Sequence, residues 1–168
     1  MVEHAGTKFE DFYRAELRPL IWFAVRVGAA RAETEDVAQE AMKAAWAGWA
    51  RIENPRAYVR TAVLRVVRRT GYQVKRNQEA ALRAAGPPGV GAESFEAEAR
   101  RVLDLLRALP EAQREVMALT MDGYDPLAIS QITGRKDSTV RSHLRHARRN
   151  LTRAIDEHHP EKEANDGS

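Results

Sequence analysis

The 168-residue sequence has no cysteine, which excludes disulfide frameworks, thiolate zinc sites and cysteine nucleophiles and fits a reducing compartment. It also lacks a long hydrophobic run. The longest apolar stretch, Leu20–Val27, is interrupted by Arg26 and falls well short of the roughly 20 residues a membrane-spanning helix needs. The opening MVEHAGTKFEDF carries no basic segment followed by an apolar one, so it does not read as a secretory signal. No segment alternates apolar and polar residues with period two between turn residues, which argues against a sheet. These absences point to a soluble, cytoplasmic, all-α protein with no membrane partner.

The charge is unevenly spread. A formal net charge of +3 hides two basic patches. Between Asn54 and Gln78 stand Arg56, Arg60, Arg65, Arg68, Arg69, Lys75 and Arg76 with no acid among them. Between Arg135 and Arg153 stand Arg135, Lys136, Arg141, Arg145, Arg148, Arg149 and Arg153 against the single acid Asp137. Acids gather elsewhere, in Glu33, Glu35, Asp36 and Glu40 and in the tail after Ile155. Two cationic patches on a chain of modest net charge suit a polyanionic partner.

Helical periodicity organises the rest. A first helical region over about Thr7–Val27 has Phe9, Phe12, Tyr13, Leu17, Leu20 and Phe23 as its buried set, and Pro19 is expected to break or kink it. A second helix starts near Thr34, an N-cap candidate with Glu35 and Asp36 in the first turn. Its apolar face is Val37, Ala38, Ala41, Met42, Ala45 and Trp49. A third begins at Pro55, turning Tyr58, Val59, Ala62, Val63, Val66 and Val67 inward and its arginines outward. Periodicity fails from about Lys75 to Glu98, where AAGPPGVGAES concentrates glycine and proline as a linker does. Beyond it, Val102, Leu105, Leu106 and Leu109 form a helical stripe, followed by helices over about Glu111–Met121 and Pro126–Thr133 and a last one from Asp137 or Ser138. The expected organisation is two small helical domains on a flexible linker: residues 1–76, a linker over 77–97, a second domain over 98–157 and a disordered tail over 158–168.

The stretch DPLAISQITGRKDSTVRSHLRHARR, residues 125–149, has the spacing of a helix-turn-helix: a short helix, a tight turn at Gly134, then a longer helix. With Val140, Leu144 and Ala147 packed inward, Thr139, Arg141, Ser142, Arg145 and Arg149 point outward, where arginine suits guanine edges and hydroxyls suit phosphates. The alternative is a solvated cationic face on an ordinary bundle helix. His143 and His146 lie three apart on the same helix, but no third metal ligand is nearby in the sequence. No nucleophile–base pair, P-loop or dinucleotide fingerprint occurs, so no enzymatic activity and no cofactor are expected.

The stretch from Leu109 to Leu151 resembles the C-terminal promoter-reading domain of extracytoplasmic-function sigma factors of bacterial RNA polymerase. Independently, AETEDVAQEAMKAAWAGW followed by NPRAYVRTAVLRVVRR is similar to the other domain of that family. The resemblance implies a transcription initiation factor whose partners are core RNA polymerase and promoter DNA. It implies −35 contacts from Ser138, Thr139, Arg141, Ser142, Arg145, Arg148 and Arg149. It implies −10 capture and melting by Tyr58, Arg56, Arg60, Arg65, Arg68 and Arg69, and polymerase docking by Asp36, Gln39 and Glu40. Spacings of three and four residues put that last trio on one helical face. Trp46, Trp49 and Tyr58 are either stacking surfaces for extruded bases or core residues. One departure stands out: where the family commonly has an arginine–asparagine pair and then aspartate–arginine, this chain has Leu64-Arg65 and Arg68-Arg69. The resemblance further implies a protein that is monomeric when free and a family whose members are often held inactive by an anti-sigma partner. Two other readings compete: a stand-alone helix-turn-helix regulator binding operators as a dimer, and a metal-dependent hydrolase using Glu33, Asp36 and Glu40.

Overall fold

The computed structural model describes residues 8–81 and 93–157, apart from the side chains of 71–81 and 93–96. Among the described residues it is entirely helical: α1 (Phe9–Arg26), α2 (Thr34–Gly48), a 3-10 turn (Trp49–Arg51), α3 (Pro55–Ala81), α4 (Glu93–Ala108), α5 (Glu111–Met121), α6 (Pro126–Thr133) and α7 (Asp137–Glu157). None of the described helices is long and apolar enough to cross a membrane. Most of the linker region and the tail after Glu157 lie outside the described residues. The helices on either side nevertheless reach into the expected linker, α3 continuing to Ala81 and α4 starting at Glu93.

Local sequence explains most boundaries. Asn54 caps α3, its Oδ1 accepting from the Ala57 amide at 3.1 Å, and Pro55 sits where a missing amide proton costs little. Asp125 caps α6 in the same way through the Ala128 amide at 2.8 Å, and Gly134 closes that helix in the left-handed conformation, φ 71°. Two expectations need correction. α1 runs unbroken through Pro19, whose ring lies on the exposed side, so only one amide donor is lost. Thr34 is the first helical residue rather than the cap, and its hydroxyl donates back to the Arg31 carbonyl at 3.1 Å.

The two helical groups share one core. Phe12, Leu20 and Phe23 of α1, Val37 and Met42 of α2, and Val59, Val63 and Leu64 of α3 belong to the same apolar cluster as Val116 and Leu119 of α5, Ile129 of α6 and Val140 and Leu144 of α7. At about 1.5–3 kcal/mol for each large side chain fully buried, this continuity is a substantial force holding the two halves together. A smaller cluster of Leu106, Leu109 and Ala147, with Met117 and Leu151 against it, fastens α4 to α5 and α7. Val102, expected in the α4 stripe, is largely exposed. A close approach at Gly28 (φ 100°) joins the halves again: Arg114 fills the space a side chain there would need. The Arg114 guanidinium meanwhile donates to the carbonyls of Leu106, Arg107 and Leu109 at the end of α4.

Candidate nucleic-acid and polymerase interface

The helix-turn-helix comes from α6 and α7. Val140, Leu144 and Ala147 are buried, which fixes the rotation of α7 about its axis. That rotation leaves Ser138, Thr139, Arg141, Arg145, Arg148 and Arg149 exposed and Ser142 half-buried. The Ser130 hydroxyl, donating to the Arg135 carbonyl at 2.6 Å, pins the turn before α7. Arg141 donates to Asp137 at 2.8 Å, one turn earlier, which orders its guanidinium while keeping it in solvent. Burial lowers the pKa of His143, and the nearby Arg135 and His146 act in the same direction. Among the described residues no three acidic or histidine side chains group as a metal site, so Glu33, Asp36 and Glu40 do not form one.

The α3 residues divide by face. Arg65 is exposed, Arg69 pairs with Glu40 across to α2 at 2.9 Å, and Arg56 pairs with Glu16 at 3.0 Å and lies over the Tyr124 ring. Tyr58 is 36% exposed and lines a cleft of about 540 Å³ between the halves, with Asn54, Tyr124 and Gln131 among its walls. Arg60 is not on the surface expected of it. It is fully buried, donating from Nη1 to Glu16 at 2.6 Å and from Nε to Asp122 at 2.9 Å. Burial alone would lower its pKa, but the two carboxylates raise it, so the guanidinium stays charged. Arg68 meets Glu115 with both Nε and Nη2 at 2.7 Å, the two-pronged geometry of a strong charge-assisted pair.

Glu115 and Asp122, seven residues apart on one side of α5, were missed by sequence reasoning, as was their partner Arg26, whose Nη1 lies 3.2 Å from Asp122. The available signal was the spacing Arg60, Leu64, Arg68, a second stripe on α3 beside the Val59–Val63–Val66 one. Glu115 is almost fully buried and also accepts from Arg135 at 2.6 Å. Burial pushes its pKa up, but the hydrogen bonds from Arg68 and Arg135 outweigh that and hold it below the ordinary 4.5. A carboxyl depressed in the folded state stabilises above its unfolded value, and that contribution is lost as pH falls through the folded one. Urea unfolding at pH 7, 5 and 3.5 should therefore give a steeper loss of stability on acidification for the native chain than for Glu115→Gln. Parallel curves would remove Glu115 as the cause.

On α2, Asp36 and Glu40 are exposed, while Gln39 is half-buried and bonded to the Tyr13 hydroxyl, with 2.8 Å from Nε2 and 3.1 Å to Oε1. The aromatics split. Trp49 packs edge-on to Phe9 against the core, ring centroids 5.1 Å apart, whereas Trp46 is 64% exposed beside the same ring.

The amino-acid sequence matches the family description sigma-70 region 2 over residues 12–81 and sigma-70 region 4 over residues 99–151, nearly three quarters of the chain in the order expected. The chain belongs to the sigma-70 family. Region 2 thus comprises most of α1 with α2 and α3, and region 4 comprises α5 and α6 with most of α4 and α7. Two solved structures share the sigma-factor fold with it. One is the sigma factor RpoE in complex with the anti-sigma factor NepR from Bartonella quintana, at 22% identity and a TM-score of 0.66 over 88% of this chain and 96% of that one. The other is CnrH in complex with the cytosolic domain of CnrY, also at 22% identity and a TM-score of 0.66, over 88% of this chain and 87% of that one. Comparison with curated proteins gives no significant match.

Proposed function

We propose that this sigma factor joins core RNA polymerase and directs it to promoters by reading a −35 duplex with α7 and capturing a −10 element with α3. The observation that carries the reading is the rotation of α7, whose apolar stripe is buried in the helix-turn-helix while Arg141, Arg145, Arg148 and Arg149 stand in solvent. On α3, Tyr58 offers a stacking surface and Arg56, Arg65 and Arg69 offer phosphate contacts, with Arg60 and Arg68 engaged internally as described. Asp36, Gln39 and Glu40 form the face for a basic polymerase surface. Melting is assisted by tighter binding to unwound than to paired DNA, and the chemistry belongs to the polymerase. An anti-sigma factor is a third partner, by analogy with RpoE bound to NepR.

Arg145→Ala tests the recognition helix in transcription reconstituted with core polymerase. A lost base contact should reduce promoter-specific initiation by about 1–3 kcal/mol and relax specificity at one base pair, whereas a lost phosphate contact should weaken all sequences alike. Unchanged transcription would remove Arg145 from the reading face.

A further inference from the structure

One arginine of the recognition helix is held differently from the rest. Among the described residues Arg145, Arg148 and Arg149 stand in solvent with no ion-pair partner, able to swing from one phosphate to another. Arg141 is exposed as well, yet its Nε donates to Asp137 Oδ2 at 2.8 Å. Asp137 is the single acid between Arg135 and Arg153. Its carboxylate is itself fixed, with Oδ1 out of solvent and without a donor while Oδ2 holds the arginine. A buried acceptor left unmet is a cost to the fold, and an exposed pair one turn apart returns little, so stability is a poor account of the arrangement.

Recognition is a better one. A guanidinium carries its N–H groups in a rigid fork. With Nε committed to Asp137, the paired donors of Nη1 and Nη2 remain at the far end, the end that can meet guanine O6 and N7 together. Asp137 also disfavours the competing contact. Its charge beside the guanidinium, joined by that of Asp125 at the start of α6, opposes the approach of a phosphate to Arg141. We propose that Asp137 is a positioning residue for promoter discrimination: it presents Arg141 end-on to guanine at one base pair of the −35 duplex and keeps that arginine off the backbone. The proposal rests on the reading of α7 as the −35 helix. Removing Asp137 therefore has two effects of opposite sign, a loss of discrimination and a gain in indiscriminate binding.

The test uses holoenzyme reconstituted from core polymerase and the full chain, transcribing a library of one of its promoters randomised across the −35 element. Native holoenzyme should prefer guanine at one pair, and Arg141→Ala should make that pair indifferent. Asp137→Ala should reduce the preference at the same pair by about 2- to 12-fold, the worth of holding one long side chain in place before binding, and leave the other pairs unchanged. Adding Asp137→Ala to Arg141→Ala should change the preferences no further, because Asp137 acts through Arg141. Affinity for a duplex that supports no initiation should rise in Asp137→Ala, with a salt dependence steeper by about one as the released Arg141 finds a phosphate. Circular dichroism identifies a variant that has unfolded, and Asp137→Ser, equally suited to a helix start, then replaces it. An undiminished guanine preference in Asp137→Ala overturns the proposal, as does a uniform weakening at every pair, which marks a merely structural role. Preference for another base at the Arg141 pair overturns it too. Arg145→Ala beside Arg141→Ala tells this failure from the larger one. If both leave every −35 preference intact, the reading of α7 fails; if Arg141→Ala erases a preference that Asp137→Ala keeps, only the role of Asp137 does.

Discussion

Arg60→Ala should lower the stability of the folded chain by about 3–5 kcal/mol, because it removes the one fully buried cation that Glu16 and Asp122 share and leaves each carboxylate only a more exposed partner, Arg56 or Arg26. With a urea dependence of about 2 kcal/mol per molar, the unfolding midpoint should fall by about 1.5–2.5 M. The cost comes from stranded charge rather than from a lost attraction. The triple change Arg60→Leu, Glu16→Gln and Asp122→Asn should therefore recover most of the loss, as neutral replacements of buried ion clusters often do. A midpoint shift below about 0.5 M for Arg60→Ala would mean the pocket is far wetter than its burial implies.

The second large effect is functional. Asp36→Ala combined with Gln39→Ala should weaken association with core polymerase by about 2–4 kcal/mol, the loss typical of paired anchor residues at an interface. The folded chain should lose only about 1 kcal/mol, the worth of the Gln39 bond to Tyr13, since Asp36 is exposed. Titration of labelled core enzyme beside urea unfolding separates the two. Unaltered polymerase affinity would remove this face of α2 from the docking surface, and a parallel collapse of stability would reduce the effect to folding.

Sequence alone reached the helices where punctuation is strong. Pro110, Asp125-Pro126 and Gly134 delimit α5 and α6 at the residues observed, because a capping side chain, a proline at the first turn and a left-handed glycine each act within a few residues. The recognition face of α7 was legible for a similar reason: one apolar stripe on an otherwise cationic helix leaves a single rotation open. The failures share a different cause. Arg60 was assigned outward because α3 was credited with one buried face, whereas the apolar stripe of Val59 and Val63 is flanked by a second stripe, Arg60 and Leu64, that region 4 covers. The Arg60–Leu64–Arg68 spacing marks a second stripe on α3 but does not say that its partner arrives from 62 residues further along. Glu115 and Asp122 were passed over because a carboxylate reads as solvated until its arginines are seen beside it. Trp46, open to stacking or core roles in the sequence, stands largely in solvent, and Trp49, three residues on, closes against Phe9 and Phe12.

Among the described residues, a shared apolar core and the ion pairs of Arg26, Arg60 and Arg68 with Asp122 and Glu115 hold the two halves together. The most direct test of the sigma-factor reading is transcription of a genomic fragment library by core polymerase supplemented with the purified chain, with every new start site mapped. The account predicts stable association with core enzyme and a set of start sites preceded by common sequences near −35 and −10. A chain that neither associates with core enzyme nor adds any start site would contradict it.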